Sequence, residues 1–117
     1  MDNSKVMDLT AKKCFPCEGG MPPLTPEQIM RYLPEVPGWE VKDNIRIFKN
    51  FQFKNFKDAM TFVDTVAALA EEEGHHPDIL IHGWNKVRLE LTTHAIKGLS
   101  ENDFILAAKI NVRVVDK

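Results

Sequence analysis

The side chains whose types and spacing could support catalysis are three histidines and two kinds of acid, glutamate and aspartate. His75 and His76 are adjacent and follow three glutamates at 71–73, while His94 lies further along the chain. Imidazole exchanges protons near neutral pH, and carboxylates beside it can assist. An antiparallel strand returning from Pro77 would bring His94 back towards the histidine pair. The pattern is therefore suited to proton transfer by three imidazoles at one end of a sheet.

The same residues also have plainer interpretations, which the sequence leaves open. Residues 71–73 close a predicted helix, and histidines at its exit can simply be solvated. Asp103 stands at the third helical position after Ser100, where a carboxylate completes a capping box whatever else it does. It can orient an imidazole only if that helix start faces the histidines.

Cys14 and Cys17 have the spacing of half a zinc site. No second Cys-x₂-Cys is present, and adjacent histidines cannot supply the usual His-x₃₋₅-His half. We therefore expect no metal site and favour a redox role or a local turn for the pair.

Composition limits the classes of function. The 117 residues at 13.4 kDa suit one domain, and 15 basic against 17 acidic residues give a net charge of −2. A nucleic-acid partner would require a basic face, so none is expected. Because no apolar stretch reaches ~18 residues, no membrane partner is expected. We expect a cytoplasmic protein, since signal-peptide patterns are lacking and there are only two cysteines.

Hydrophobic patterning predicts the elements that must position these residues. Thr25, Asn55 and Ser100 are the predicted caps of three amphipathic helices, and Gly74 is the predicted end of the second. Alternation predicts two hairpins, with strands at 39–42 and 45–53 joined at 43–44, and strands at 79–84 and 87–92 joined at 85–86.

The resulting order, α-β-β-α-β-β-α, predicts an α+β fold: a four-stranded antiparallel sheet with three helices packed on one face. Residues 1–24 lack periodicity and include Gly19-Gly20 and Pro22-Pro23. We expect them to form a loosely structured polar arm that carries the Cys-x₂-Cys, followed by a single domain over 25–117.

From about Leu24 onwards, the chain resembles the pterin-4a-carbinolamine dehydratase family. The motif is an acid four residues before His-His-Pro, then an aromatic residue, a Thr-His pair, and Gly-Leu-Ser-Glu running into an aspartate. In this chain the matching residues are Glu71, His75, His76, Pro77, Trp84, Thr93, His94, 98–101 and Asp103. Gly74 departs from the acidic residue expected in mammalian members. The resemblance implies the same order of elements.

The resemblance also implies a reaction. A 4a-hydroxytetrahydropterin, left by an aromatic amino acid hydroxylase, loses water to give quinonoid dihydropterin, which needs only general acid and base groups. No cofactor is expected, because the pterin is the substrate. The implied catalytic residues are His75, His76 and His94, with His76 mainly positioning the pterin, and Asp103 orients an imidazole. The implied substrate-binding residues are Glu71, His75, His76, Pro77, Thr93, His94, Ala95 and Ile96.

Partners follow from the resemblance and from leftover apolar residues. The family implies a homodimer or homotetramer and a functional link to phenylalanine hydroxylase. Phe48 falls on the otherwise polar face of its strand, and the last helix carries more apolar residues than one stripe needs: Ile110, Val112, Val114 and Val115. Both features predict a second contact surface.

Three other functions stay open from the sequence. One is a non-catalytic assembly or dimerisation module on the same scaffold, as known for some relatives. Another is a role in molybdenum-cofactor (molybdopterin) metabolism. The third, a small zinc protein, depends on the cysteine pair alone.

Overall fold

The computed structural model describes residues 8–15 and 21–115, and its helices and strands follow the predicted order. Their bounds are α1 Pro26–Tyr32, β1 Glu40–Lys42, β2 Arg46–Gln52, α2 Phe56–Glu73, β3 Asp78–His82, β4 Lys86–Leu91 and α3 Glu101–Val115. Short 3₁₀ turns lie at Leu9–Ala11, Leu33–Glu35 and His94–Ile96. The α-β-β-α-β-β-α order and the α+β class are confirmed.

The four strands form one antiparallel sheet in the order β1-β2-β4-β3. In the central pair, Ile47 lies opposite Leu91 and Phe51 opposite Val87, and all four side chains are buried. The alternate residues on the other face are mostly polar, because successive strand residues point to opposite faces. The sheet therefore buries a single face, as predicted, and the helices lie on it.

The predicted caps explain where the helices begin and end. Thr25 and Gln28 form a reciprocal capping box at α1, with hydrogen bonds of 2.8 and 3.2 Å. Asn55 Oδ1 accepts from the Asp58 N–H at 2.7 Å at the start of α2, and Gly74 ends that helix in the left-handed conformation, with φ of 70°. Across the described ranges, no helix combines the length and apolar character needed to cross a membrane.

The second hairpin turns earlier than predicted. We expected strands at 79–84 and 87–92 joined at residues 85–86, but β3 ends at His82 and the turn occupies residues 83–85. Gly83 and Trp84 both have positive φ, of 55° and 57°, which strand residues do not adopt. Asn85 then anchors the turn, donating from its side chain to the Phe53 carbonyl at 2.8 Å. Trp84 is therefore an exposed turn residue.

The structure describes residues 8–15 and 21–24 of the expected arm, and residues 8–15 are packed rather than loose. Leu9 is only 2% exposed and belongs to the hydrophobic core, and its 3₁₀ turn contacts α3. Lys12 extends this contact with an ion pair to Glu101 at 2.7 Å. An isolated leucine in a polar segment gives no periodic signal, so sequence patterning missed it. The predicted boundary between arm and domain stays a prediction.

Candidate active site

The end of α2 sets the direction of the two adjacent histidines. Gly74 and His75 both donate their backbone N–H groups to the Ala70 carbonyl, at 2.8 and 3.2 Å. The left-handed glycine reverses the chain there. Apart from its two chain neighbours and the backbone of its own helix, no atom of the described residues lies within 4 Å of where its β-carbon would stand. Glycine is thus favoured here by the backbone conformation rather than by lack of space. The reversal sends His75 towards the start of α3.

His75 meets a buried carboxylate. Its Nε2 lies 2.7 Å from Asp103 Oδ1; the His75 side chain is 13% exposed and that of Asp103 is fully buried. Engagement of Nε2 leaves Nδ1 as the ring nitrogen that can exchange a proton with a ligand. The structure therefore brings together the imidazole and the acid that we expected to orient one.

The second oxygen of Asp103 is held by α3 and by the chain that leads into it. Oδ2 accepts from the Ser100 N–H at 3.0 Å and from the Thr93 hydroxyl at 2.8 Å. The Thr93 hydroxyl also lies 2.7 Å from the Ser100 hydroxyl. Asp103 thus caps its own helix and contacts His75 at once, so the capping and orienting interpretations are compatible.

His76 and His94 lie in more open surroundings. His76 Nε2 is 2.5 Å from Glu71 Oε2, and both side chains are more than half exposed. Solvent screens such a pair, which makes it a weak contact. His94 begins the 3₁₀ turn His94–Ile96 and is exposed. This turn is closed by a β-bridge between Thr93 and Gly98.

All three histidines line one cavity of about 280 Å³. Of the predicted substrate-binding residues, the cavity wall includes His75, His76, Thr93, His94 and Ala95, and it does not include Glu71, Pro77 or Ile96. Ile96 is buried in the turn, while Glu71 contacts His76 of the wall. The volume lies just below the range typical of small-molecule sites, about 300–1,000 Å³.

Four residues of the wall were not predicted: Phe15, Gly74, Thr92 and Asn102. Gly74 and Thr92 are sequence neighbours of predicted residues, and Asn102 directly precedes Asp103. Phe15 had no such signal, because it reaches the cavity from the far end of the chain.

Beside the cavity, a buried carboxylate joins the arm to α2 and α3. Glu73 accepts from the Cys14 N–H at 2.9 Å and from the Lys109 ammonium at 2.6 Å. Burial raises the pKa of Glu73, but these two donors more than offset it, so the pKa lies below its usual range. Glu73 is therefore a carboxylate at neutral pH.

The pKa of the Cys14 thiol is shifted in the opposite direction. Burial, reinforced by the negative charge of Glu73, raises the pKa of its thiol to about 12. Its Sγ donates to the Asn102 carbonyl at 3.6 Å. Metal ligation and redox attack both use the thiolate, which this environment disfavours. Cys17 lies outside the described residues, and in the part of the chain that is described, no three His, Cys, Asp or Glu side chains are grouped to hold a metal.

The arrangement is suited to proton transfer at a small polar ligand. A mostly buried imidazole held by a carboxylate has a defined orientation, and two further imidazoles line the same wall. Such groups can donate a proton to a leaving oxygen and accept one elsewhere on the same ligand.

Comparisons of the whole chain give a consistent answer. Residues 22–112 match the family model for pterin 4 alpha carbinolamine dehydratase. A Methylococcus capsulatus protein named "Putative pterin-4-alpha-carbinolamine dehydratase" is 53% identical over 104 residues, which cover 88% of this chain and 90% of that protein.

Two solved structures are similar as well. The crystal structure of a transcriptional coactivator/pterin dehydratase from Brucella melitensis matches with a TM-score of 0.71 at 33% identity, covering 77% of this chain and 96% of that one. A pterin dehydratase-like protein described as a RuBisCO assembly factor in the alpha-carboxysome matches with a TM-score of 0.55 at 29% identity, covering 67% and 90%. With the family model matching most of the residues, this chain belongs to the pterin-4-alpha-carbinolamine dehydratase family.

Proposed function

We propose that this protein dehydrates 4a-hydroxytetrahydropterin to quinonoid dihydropterin, and so recycles the pterin cofactor of aromatic amino acid hydroxylases. The observation that carries the proposal is His75, held by buried Asp103 on a cavity wall that also includes His76 and His94. Family membership supports the substrate class.

The chemistry matches the groups present. The N5 lone pair forms the N5=C4a bond as the C4a–O bond breaks, and the departing hydroxyl takes a proton to leave as water. The ring system then loses a proton, so substrate becomes product plus one water. We assign the donor and acceptor roles to His75 and His94, and the positioning of the pterin to His76. These groups suffice in principle, so we propose that no metal or other cofactor takes part.

The test is a dehydration assay on the purified protein. An aromatic amino acid hydroxylase generates the 4a-hydroxytetrahydropterin in situ, and absorbance follows its loss. We expect the protein to accelerate dehydration over the uncatalysed rate, equally with and without a chelator. A chelated protein that loses activity and regains it on addition of zinc would contradict the acid–base proposal.

A non-catalytic assembly role is the second candidate, favoured by the similarity to the RuBisCO assembly factor. It predicts a stable protein that binds a macromolecular partner and leaves the dehydration rate unchanged. The dehydration assay therefore separates the two. We further propose that phenylalanine hydroxylase supplies the substrate, which a coupled assay with that enzyme would check.

A further inference from the structure

Hydrogen bonds from the arm to α2 and α3 hold it at the rim of the histidine cavity. The Lys13 ammonium donates to the Glu72 carbonyl at 2.9 Å, and the Cys14 N–H donates to Glu73. The next residue, Phe15, is held by both of its backbone groups. Its N–H donates to Asn102 Oδ1 at 3.0 Å, and its carbonyl accepts from Asn102 Nδ2 at 2.5 Å.

Asn102 is well placed to fix this segment. It is 2% exposed, lies in the first turn of α3, and directly precedes the aspartate that contacts His75. A buried amide whose oxygen and nitrogen both bond one residue's backbone leaves that residue little freedom to shift. Phe15 therefore has a defined position relative to His75.

Phe15 is also unlike the rest of the wall. Among the described residues that line the cavity, it is the one with a large apolar side chain, and it remains 39% exposed. A phenyl ring held partly in solvent beside polar groups gains most when a flat, partly apolar ligand covers it.

We propose that Phe15 completes the binding site and packs against the bicyclic ring of the pterin, with Asn102 as its positioning residue. This inference rests on the proposed function for the identity of the ligand. It gives the arm a role in substrate affinity, while the proton transfers stay with the histidines.

The first test is a series of substitutions at Phe15. An aromatic contact is worth about tenfold in binding, so Phe15→Ala should raise KM by about that factor and leave kcat within twofold. Phe15→Tyr should restore the wild-type KM, and Phe15→Leu should fall between. The matched control is Phe56→Ala, at an exposed phenylalanine at the opposite end of α2, which should change neither constant.

Equilibrium binding of 7,8-dihydrobiopterin, which carries no 4a-hydroxyl to lose, provides a readout independent of catalysis. We expect its Kd to rise with KM across the series. If wild type binds this probe in a Phe15-dependent way but does not dehydrate the substrate, the proposed function is wrong and this inference stands. A KM and Kd within twofold of wild type in Phe15→Ala would overturn the inference, as would a loss of kcat and thermal stability at constant KM.

A double-mutant cycle tests the role of Asn102. Asn102→Ala frees the Phe15 backbone, so it should also raise KM, and it should raise KM little further when Phe15 is already alanine. Thermal unfolding of each variant shows whether a rise in KM comes instead from loss of the folded structure. If the fold-changes in KM of the two single variants multiply in the double variant, Asn102 does not act through Phe15.

Discussion

The carboxylate of Asp103 has donors on both of its oxygens. His75 contacts one oxygen, and the Thr93 hydroxyl and Ser100 N–H occupy the other. With both oxygens engaged, neither the carboxylate nor the imidazole can rotate without breaking a buried hydrogen bond. At the scale of single residues, His75 is therefore the most constrained of the three histidines, and His76 and His94 are the more exposed.

The roles proposed for the three histidines predict different kinetic effects of their substitutions. Loss of a positioned proton-transfer group costs about 10²–10⁴-fold in rate, so His75→Ala and His94→Ala should lower kcat. His76→Ala should raise KM more than it lowers kcat, because its expected role is to hold the pterin. Steady-state kinetics of the three variants measures both constants.

Asp103→Asn is the companion variant, since it keeps the shape of the side chain and removes its charge. We expect it to lower kcat, and to lower it little further when combined with His75→Ala. The assignment is wrong if all three single histidine variants keep full kcat.

At the scale of elements, Glu73 joins the end of α2 to α3 and the arm, and it makes stability depend on pH. The pKa of Glu73 is lower in the folded state than its usual value. Its contribution to the free energy of unfolding is therefore complete above the usual pKa, and it is lost as the pH falls through the folded-state pKa. We expect wild-type unfolding free energy to fall between about pH 5 and pH 3 by more than that of Glu73→Gln. Denaturant unfolding at several pH values measures this.

Glu73→Gln should itself cost about 1–3 kcal/mol at pH 7, because Lys109 loses a buried charged partner. Glu72→Gln is the matched control, since the Glu72 side chain is exposed on the same helical turn. Glu72 contacts Lys13 through its backbone carbonyl, which the substitution keeps. Equal pH dependence in wild type and Glu73→Gln would rule out this origin.

Elements with local signals were the ones that sequence could predict. The caps at Thr25, Asn55 and Gly74 are decided within a few residues, and each was confirmed. The turn at Gly83 and Trp84 was misplaced because a tryptophan with positive φ has no sequence signature. The contacts of the arm could not be predicted for a different reason. Phe15 and Asn102 are 87 residues apart, and local patterns carry no information about contacts over that distance.

The same contrast applies to the site. The histidine cluster could be predicted, because β3 and β4 form an antiparallel hairpin that returns the chain towards its start. The pairing of His75 with Asp103 needed the position of α3 in three dimensions, which periodicity does not supply. Phe15 needed the position of the arm as well.

At the scale of the whole molecule, the apolar residues expected to form a second contact surface differ in exposure. Phe48 is half-buried beneath the Arg88 guanidinium, 4.1 Å from its ring centre, so the chain itself covers it. Val112 is 49% exposed on α3, and Leu80 is 54% exposed on β3, an edge strand of the sheet. The side chains of Val114 and Val115 lie outside the described residues.

We predict a homo-oligomer, a dimer or a dimer of dimers, with Val112 in a contact between subunits. A two-fold contact would cover the same apolar patch on each subunit. Light scattering at micromolar concentration should give a multiple of 13.4 kDa, and Val112→Asp should lower the mass.

Leu80→Lys is the comparison variant for that experiment, because it charges the sheet edge instead of the helix. If Leu80→Lys dissociates the oligomer and Val112→Asp does not, the contact between subunits lies at β3 instead of α3. A wild-type mass that stays at 13.4 kDa as concentration rises would refute the oligomer.

Asn102 and Asp103 are consecutive residues at the start of α3, one holding the arm and the other contacting His75. Successive residues on an α-helix are separated by a rotation of about 100°, so this helix start reaches two elements in different directions. Inserting or deleting one residue just before Asn102 would rotate both side chains away together. Tolerance to length changes should therefore be lowest at this junction, and a graft of the arm onto another scaffold would have to bring the first turn of α3 with it.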